Sequence, residues 1–167
     1  MWHYLDDKQF LHKMRTSSGE LMQDLCHTLK EDYDIGANFY LIGSGAKNLI
    51  MQNANNPVDV DYNLEIVKCR DFEDCRYLKE CVRNAFNKSL RSRDLNDCED
   101  STSVLTSKRM YFPTGNQTGF SIDVCIIKRD EKDNSYRLIH KKTGFTYHDE
   151  YYWNRACEEK SVNIDLL

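Results

Sequence analysis

The chain of 167 residues has the length of one domain, and a second full domain is not expected in it. Its 40% of hydrophobic and 30% of charged residues are typical of a globular protein, and no apolar run approaches the roughly 20 residues that cross a bilayer. The net charge of -4 argues against extended binding to nucleic acid, because affinity for duplex phosphates needs many Lys and Arg contacts on one face.

The seven cysteines are odd in number and form no Cys-x-x-Cys pair. Free thiols in a reducing cytoplasm account for them best, which predicts a cytoplasmic protein. Cys75 and Cys81 with His27 are an alternative as soft-metal ligands, but zinc sites normally use paired spacings, which this set lacks. The first residues, Met1 to Asp7, lack the basic and apolar stretches of a signal peptide, so none is expected there.

The first predicted elements are helical. Apolar residues between Asp6 and Lys30 recur at spacings of three, four and seven, which predicts one broken or two consecutive amphipathic helices. Ser17, Ser18 and Gly19 mark the expected break. Residues 1–34 are therefore interpreted as N-terminal helices.

A strand, a turn and a helix follow. Residues 38–42 are predicted to form a buried strand that ends at the turn Gly43-Ser44-Gly45, and a helix is predicted over residues 46–51. The first amides of a helix lack internal partners, so this turn suits a phosphate group, and Lys47 adds a full positive charge. Taken alone, the turn is more simply a tight connection between strand and helix.

An acidic strand comes next, over residues 57–66. Side chains alternate in a strand, so Asp59 and Asp61 project from one side, while Val58, Val60 and Tyr62 project from the other. Two carboxylates held this close repel each other. A hard divalent cation such as Mg²⁺ relieves the repulsion, because it takes oxygen ligands from carboxylates and substrate phosphates.

The second half is predicted to alternate helix, loop and strands. A covering helix is expected to start with Asp71 as N-cap and Asp74 at its third position, followed by a polar loop over residues 91–103. Residues 104–112 and 120–128 are predicted to form a hairpin of two strands.

Asp123 lies in the second strand of that hairpin, on the face opposite its apolar neighbours. If this strand pairs with the acidic strand in an antiparallel sheet, Asp59, Asp61 and Asp123 meet on one face. Such a cluster can hold two cations about 3.5 to 4 Å apart. Asn63, Glu65 and Ser121 are interpreted as supporting or surface residues of the same face.

The tail is predicted to form a short hairpin, with strands at residues 136–140 and 145–147, followed by a helix over residues 151–155. Its aromatic residues are dense. They are interpreted as core packing, with stacking on a nucleobase as the alternative.

Together these motifs resemble the nucleotidyltransferase superfamily, which is typified by DNA polymerase beta, poly(A) polymerase and the antibiotic nucleotidyltransferases. The resemblance covers residues 38–127: Gly43-Ser44 after a strand, a short helix, the Asp59-Val60-Asp61 strand and Asp123 on a later strand. It implies an α+β two-layer fold, with a mixed, largely antiparallel sheet of four or five strands and helices on one face. Residues 1–167 would form a single domain, with 38–127 as catalytic core and 128–167 as hairpin and C-terminal helix.

The resemblance also implies roles for individual residues. Gly43 and Ser44 would contact the triphosphate of a nucleotide such as ATP, with Lys47 beside them. Asp59, Asp61 and Asp123 would hold two Mg²⁺ ions, or Mn²⁺ in their place, and Asp123 would assist deprotonation of an acceptor hydroxyl.

The leading hypothesis is an enzyme that moves a nucleoside monophosphate from a nucleoside triphosphate to an acceptor hydroxyl and releases pyrophosphate. The charge favours a small-molecule or protein acceptor. The alternative is an inactive module of the same fold that binds nucleotide or a protein partner, with a partner subunit or a second copy completing the site. A third interpretation makes the three aspartates solvent-facing residues of a sheet with one wet face.

Overall fold

The computed structural model describes residues 2–4, 7–42, 51–53 and 58–156. Within these residues there are two α-helices, nine strands and one short 3₁₀ turn. Their bounds in chain order are β1 Trp2–Tyr4, α1 Lys8–Tyr33, β2 Gly36–Leu41, β3 Met51–Asn53, β4 Val58–Lys68, α2 Cys75–Arg91, β5 Glu99–Asp100, β6 Leu105–Thr106, β7 Phe120–Arg129, β8 Ser135–Lys141, the turn Thr146–His148 and β9 Glu150–Arg155.

Seven of these strands form the main sheet, in the order β2-β4-β7-β6-β5, with β8 on β7 and β9 on β8. The β4–β7 pair is parallel and the other pairs are antiparallel. The prediction of a mixed, largely antiparallel sheet in an α+β fold is confirmed, although there are more strands than the four or five expected. β1 and β3 form a separate antiparallel pair.

The expected antiparallel pairing of the two acidic strands is wrong. β4 and β7 run in the same direction. After β4 the chain passes through α2 and two short strands, and it then starts β7 at the end of the sheet where β4 starts. Parallel neighbours need such a long crossover, whereas a hairpin would make them antiparallel.

One hydrophobic core lies between the helices and a single face of the sheet. The buried positions of β4 alternate with exposed ones at its start, as the sequence predicts. Tyr62 points into this core, where its hydroxyl and that of Ser18 on α1 lie 2.7 Å apart in a hydrogen bond. The largest fully buried side chains are Phe86, Phe120, Met14, Leu21, Met22, Leu25, Leu29, Ile35, Leu64, Ile66, Leu78 and Leu90. Among the described residues, no helix is both long enough and apolar enough to span a membrane.

The predicted break in the first helix is wrong, since α1 is continuous from Lys8 to Tyr33. Ser18 is buried and finds partners inside the structure, the Tyr62 hydroxyl and the backbone oxygen of Arg15. Packing of the apolar face of α1 therefore outweighs the weak local preference against helix at Ser17 and Gly19.

Two other element boundaries differ from the prediction. The N-cap of α2 is Asp74, whose carboxylate accepts from the Tyr77 amide at 3.2 Å, while Asp71 accepts from Glu73 in the turn before it. Met51, predicted to end a helix, lies in β3, and residues 46–50 are outside the described residues.

The strands around Asp123 and in the tail are also corrected. Of the strand predicted over residues 104–112, only β6 and an isolated bridge from Met110 to Phe120 form. The predicted hairpin in the tail forms, with β8 as its first strand and β9 as its second. Residues 145–147, which were predicted to be the second strand, overlap the 3₁₀ turn instead. Residues 151–155 are therefore strand, not helix.

Candidate active site

Three aspartates lie on the face of the sheet opposite the helices. Asp61 on β4 and Asp123 on β7 are direct neighbours in the parallel register. Asp59 lies opposite Ser121, two residues earlier in each strand. Residues two apart in a strand share a face, so all three carboxylates project from the same side. Asp59 and Asp61 are exposed, whereas Asp123 is half-buried. The structure thus brings together the three acidic residues predicted from the sequence.

Hydroxyl groups on neighbouring strands orient two of these carboxylates. The Ser121 hydroxyl donates to Asp59 at 2.8 Å. Thr106 lies opposite Asp123 in the β6–β7 pairing, and its hydroxyl donates to Asp123 at 2.7 Å. Each of these bonds leaves the second carboxylate oxygen available to another ligand.

The carboxylates raise one another's proton affinity. Although Asp61 is open to solvent on one side, loss of surrounding water raises its pKa to about 6, with further contributions from the charge of Asp123, a hydrogen bond to it and the charge of Asp59. Burial also raises the pKa of Asp123, opposed by the Thr106 hydrogen bond. The pair therefore has more negative charge than its protein surroundings compensate.

Further along the same face lie Asn63 on β4 and Cys125 on β7, which are neighbours in register. Asn63 is only 4% exposed, and its Oδ1 atom has no hydrogen-bond partner. The guanidinium of Arg137, on β8, lies within hydrogen-bonding reach of the Cys125 thiol and lowers the pKa of Asp61 through its charge.

The three residues predicted to contact a triphosphate, Gly43, Ser44 and Lys47, lie outside the described residues, so their role stays a prediction. The chain is described up to Ile42. Its amide donates to the backbone oxygen of Asp61 at 3.0 Å, so the chain enters the predicted turn from the edge of β4 beside Asp61.

Within the described residues, no group of three or more His, Cys, Asp or Glu side chains is arranged as a formed metal site. The donor chemistry of the three aspartates nevertheless fits a hard divalent cation, because Asp61 and Asp123 oppose each other with raised pKa values and carboxylate oxygens are the ligands that Mg²⁺ and Mn²⁺ prefer. Cys75 and Cys81 are buried free thiols, and burial raises the pKa of both, so they stay protonated.

Thr106 and Arg137 are residues of this face that the sequence did not single out. Thr106 stands in a polar stretch with several other hydroxyl residues, and nothing in the local pattern distinguishes it. Arg137 belongs to a predicted strand, but its approach to the carboxylates depends on how β8 pairs with β7. Both contacts arise from register between strands that are distant in sequence.

No protein-family model matches the chain, and no curated protein matches it. Solved structures do resemble it. They include the Bradyrhizobium diazoefficiens CD-NTase CdnG in complex with GTP, at 15% identity and a TM-score of 0.51 over 86% of this chain and 39% of that one. E. coli MS115-1 CdnC with ATP has 16% identity and a TM-score of 0.52, over 90% of this chain and 43% of that one. Vibrio cholerae DncV cyclic AMP-GMP synthase has 13% identity and a TM-score of 0.51, over 93% of this chain and 43% of that one.

The chain spans about two fifths of the length of these structures. At such low sequence identity the likeness concerns the fold. The chain has a nucleotidyltransferase-like fold, and the resemblance read from its motifs is confirmed at that level.

Proposed function

We propose that the protein is a metal-dependent nucleotidyltransferase that moves a nucleoside monophosphate from a nucleoside triphosphate to an acceptor hydroxyl. The bond between the α-phosphorus and the bridging oxygen to the β-phosphate breaks, a bond from the acceptor oxygen to the α-phosphorus forms, and pyrophosphate leaves. The observation that carries the proposal is the register of Asp61 opposite Asp123, with Asp59 beside them, in a nucleotidyltransferase-like fold.

Asp59, Asp61 and Asp123 would hold the divalent cations, two Mg²⁺ ions or Mn²⁺ in their place. When bound, these ions lower the pKa of the acceptor hydroxyl and offset the charge of the triphosphate. Asp123, oriented by the Thr106 hydroxyl, would take the proton of the acceptor hydroxyl. Ser121 would hold Asp59 in place.

The substrate side of the proposal is supported by the fold neighbours, which include structures with GTP and ATP. We therefore propose a nucleoside triphosphate, ATP among them, as the donor, contacted by Gly43, Ser44 and Lys47. The acceptor is proposed to be a small molecule, which includes the sugar of a second nucleotide, or a protein hydroxyl. A cytoplasmic location is part of the same proposal, since the substrate is an intracellular nucleotide.

The test is a screen for pyrophosphate release from each triphosphate with Mg²⁺ or Mn²⁺ and pooled acceptors. Asp61→Asn is expected to reduce release by about 100-fold or more without lowering the melting temperature. The matched control is Asp97→Asn, which removes an exposed carboxylate paired with Arg91 and leaves turnover unchanged. Undiminished turnover in Asp61→Asn, or a collapsed fold, would contradict the proposal.

A second candidate is a module that binds nucleotide or a protein partner without turnover. It is favoured by the raised pKa of Asp61, since a carboxyl that is protonated below about pH 6 binds a cation less well there. Calorimetry with Mg²⁺ and each triphosphate distinguishes the two. Heat of binding with no pyrophosphate release, with or without a partner subunit or second copy, supports the module.

A further inference from the structure

An arginine from the tail of the chain approaches the carboxylates. β7 has two edges, and β4 occupies one of them from Phe120 to Ile127. The other edge is shared, because β6 pairs at Asp123 and Val124 while β8 pairs from Ile127 to Arg129. The pair of Arg137 with Ile127 is therefore the part of the β7–β8 pairing that lies nearest to β6.

Arg137 is the residue of β8 opposite Ile127. Ile127 is four residues after Asp123 in β7, so Arg137, Ile127 and Asp123 lie on the same face of the sheet. Residues opposite each other in neighbouring strands also share a face, which places Asp61 there too.

The guanidinium of Arg137 is directed along this face toward the carboxylates. It lies within hydrogen-bonding reach of the thiol of Cys125, which is two residues from Asp123. Its Nε atom is buried and has no hydrogen-bond partner. The other arginine of this face, Arg129, is already paired with Glu65 at 3.3 Å. Arg137 as a whole is half-buried, but a buried donor without a partner costs free energy, and Asp61 is a negative charge on which the guanidinium acts.

We propose that Arg137 is a positioning residue that serves as the counter-cation of Asp61 within the acidic cluster before a divalent cation binds. Its charge offsets part of the repulsion between the carboxylates and keeps them together on the sheet. The same charge opposes an incoming cation, so Arg137 sets how tightly the site holds metal. The effect of Arg137 on metal affinity rests on the proposed function, whereas its counter-cation role applies to the protein without metal.

The first test uses metal-free protein at about pH 8 in the presence of a chelator. Arg137→Gln is expected to lower the melting temperature by about 2–4 °C, the effect of roughly 1 kcal/mol in a domain of this size. In an Asp61→Asn background, Arg137→Gln is expected to lower the melting temperature clearly less, because one of the repelling carboxylates is gone. Equal effects in the two backgrounds would overturn the proposal, whatever the protein does with nucleotides.

The second test measures the Mn²⁺ affinity of Arg137 variants by titration calorimetry at about pH 8. Arg137→Gln is expected to bind Mn²⁺ roughly three- to tenfold more tightly than the wild type, since a nearby positive charge has been removed. Arg137→Lys, which keeps the charge, is expected to retain the wild-type affinity. Arg155→Gln is the control, because it removes one positive charge from an exposed side chain bound to Asn134.

Unchanged or weaker Mn²⁺ affinity in Arg137→Gln would overturn the role of Arg137 in metal affinity while leaving the proposed function standing. Absence of Mn²⁺ binding in every variant, the wild type included, would overturn the proposed function and the role of Arg137 in metal affinity. The coupling between Arg137 and Asp61 in metal-free protein would then still decide the counter-cation role.

Discussion

Asp61 and Asp123 face each other across the parallel pair β4–β7, and the pKa of Asp61 is raised to about 6 by desolvation and by the neighbouring carboxylates. The folded protein therefore binds this proton more tightly than the unfolded chain, where the ordinary value of 3.8 applies. By linkage, the contribution of Asp61 to the free energy of unfolding is largest below about pH 4 and decreases as the pH rises to about 6.

The first prediction is that, as the pH rises over this range, metal-free wild-type protein loses stability relative to Asp61→Asn. The amide of asparagine can donate to Asp123 at any pH, so no charge develops at that position. Because Asp61 is open to solvent on one side, water screens part of the repulsion and the difference is expected to be modest. Melting temperatures between about pH 4 and pH 7 with a chelator measure it, and parallel curves for the two proteins would contradict it.

Thr106 gives the second prediction. Its hydroxyl donates to Asp123 at 2.7 Å and lowers the pKa of that carboxyl against the effect of burial. Thr106→Val removes the donor with little change of shape, so the pKa of Asp123 is expected to rise. Carbon-detected NMR titration of the aspartate side chains measures the shift directly, and in an active enzyme the acidic limb of the pH–rate profile moves to higher pH.

Thr106→Ser is the matched variant, because it keeps a hydroxyl at the same position. It is expected to titrate like the wild type. If Thr106→Val and Thr106→Ser shift the pKa of Asp123 equally, the change comes from packing, and the hydrogen bond does not lower that pKa.

The sequence predicts the faces of the acidic strands better than it predicts their partners. Alternation in residues 57–66 and 120–127 is a local property with a period of two, so it shows which side chains share a face. Direction and register depend on the path of the chain between the strands. The parallel β4–β7 pair and the contacts of Thr106 and Arg137 could not be derived for that reason.

The tail shows a different limit. Tyr151 and Trp153 pack against the core while Tyr152 is 42% exposed, which is a strand pattern of period two, and aromatic residues favour strands. The helical prediction for this segment was wrong although its sequence carries the signal. The two-residue strands β5 and β6, by contrast, are too short for any periodicity to be detected.

The third prediction concerns the hydrogen bond between Tyr62 and Ser18. Both side chains are buried, and this bond of 2.7 Å joins β4 to the middle of α1. Tyr62→Phe is expected to lower the free energy of unfolding by about 1 kcal/mol. Urea unfolding measures the loss, and Tyr152→Phe on the exposed side of β9 is the control that should cost almost nothing. A loss no larger than in the control would show that the bond does not contribute.

The last prediction concerns a buried charged cluster on the helix side of the sheet. Lys79 of α2 lies 2.9 Å from Asp100, with side chains only 3% and 15% exposed. Asp100 also contacts His140, whose other ring nitrogen lies 2.7 Å from Asp149. Burial alone would raise the pKa of Asp100, but the hydrogen bond and charge of Lys79 lower it overall, so the carboxylate stays ionised.

Asp100→Asn leaves the buried ammonium of Lys79 without its counter-ion and is expected to cost about 3 kcal/mol of unfolding free energy. Asp97→Asn is the matched control three residues earlier in the chain, because Asp97 pairs with Arg91 at the surface, where the side chains are 44% and 65% exposed. That change is expected to cost less than about 1 kcal/mol. Urea unfolding of both variants measures the two costs, and equal losses would mean that the cluster around Lys79 is as well solvated as a surface ion pair.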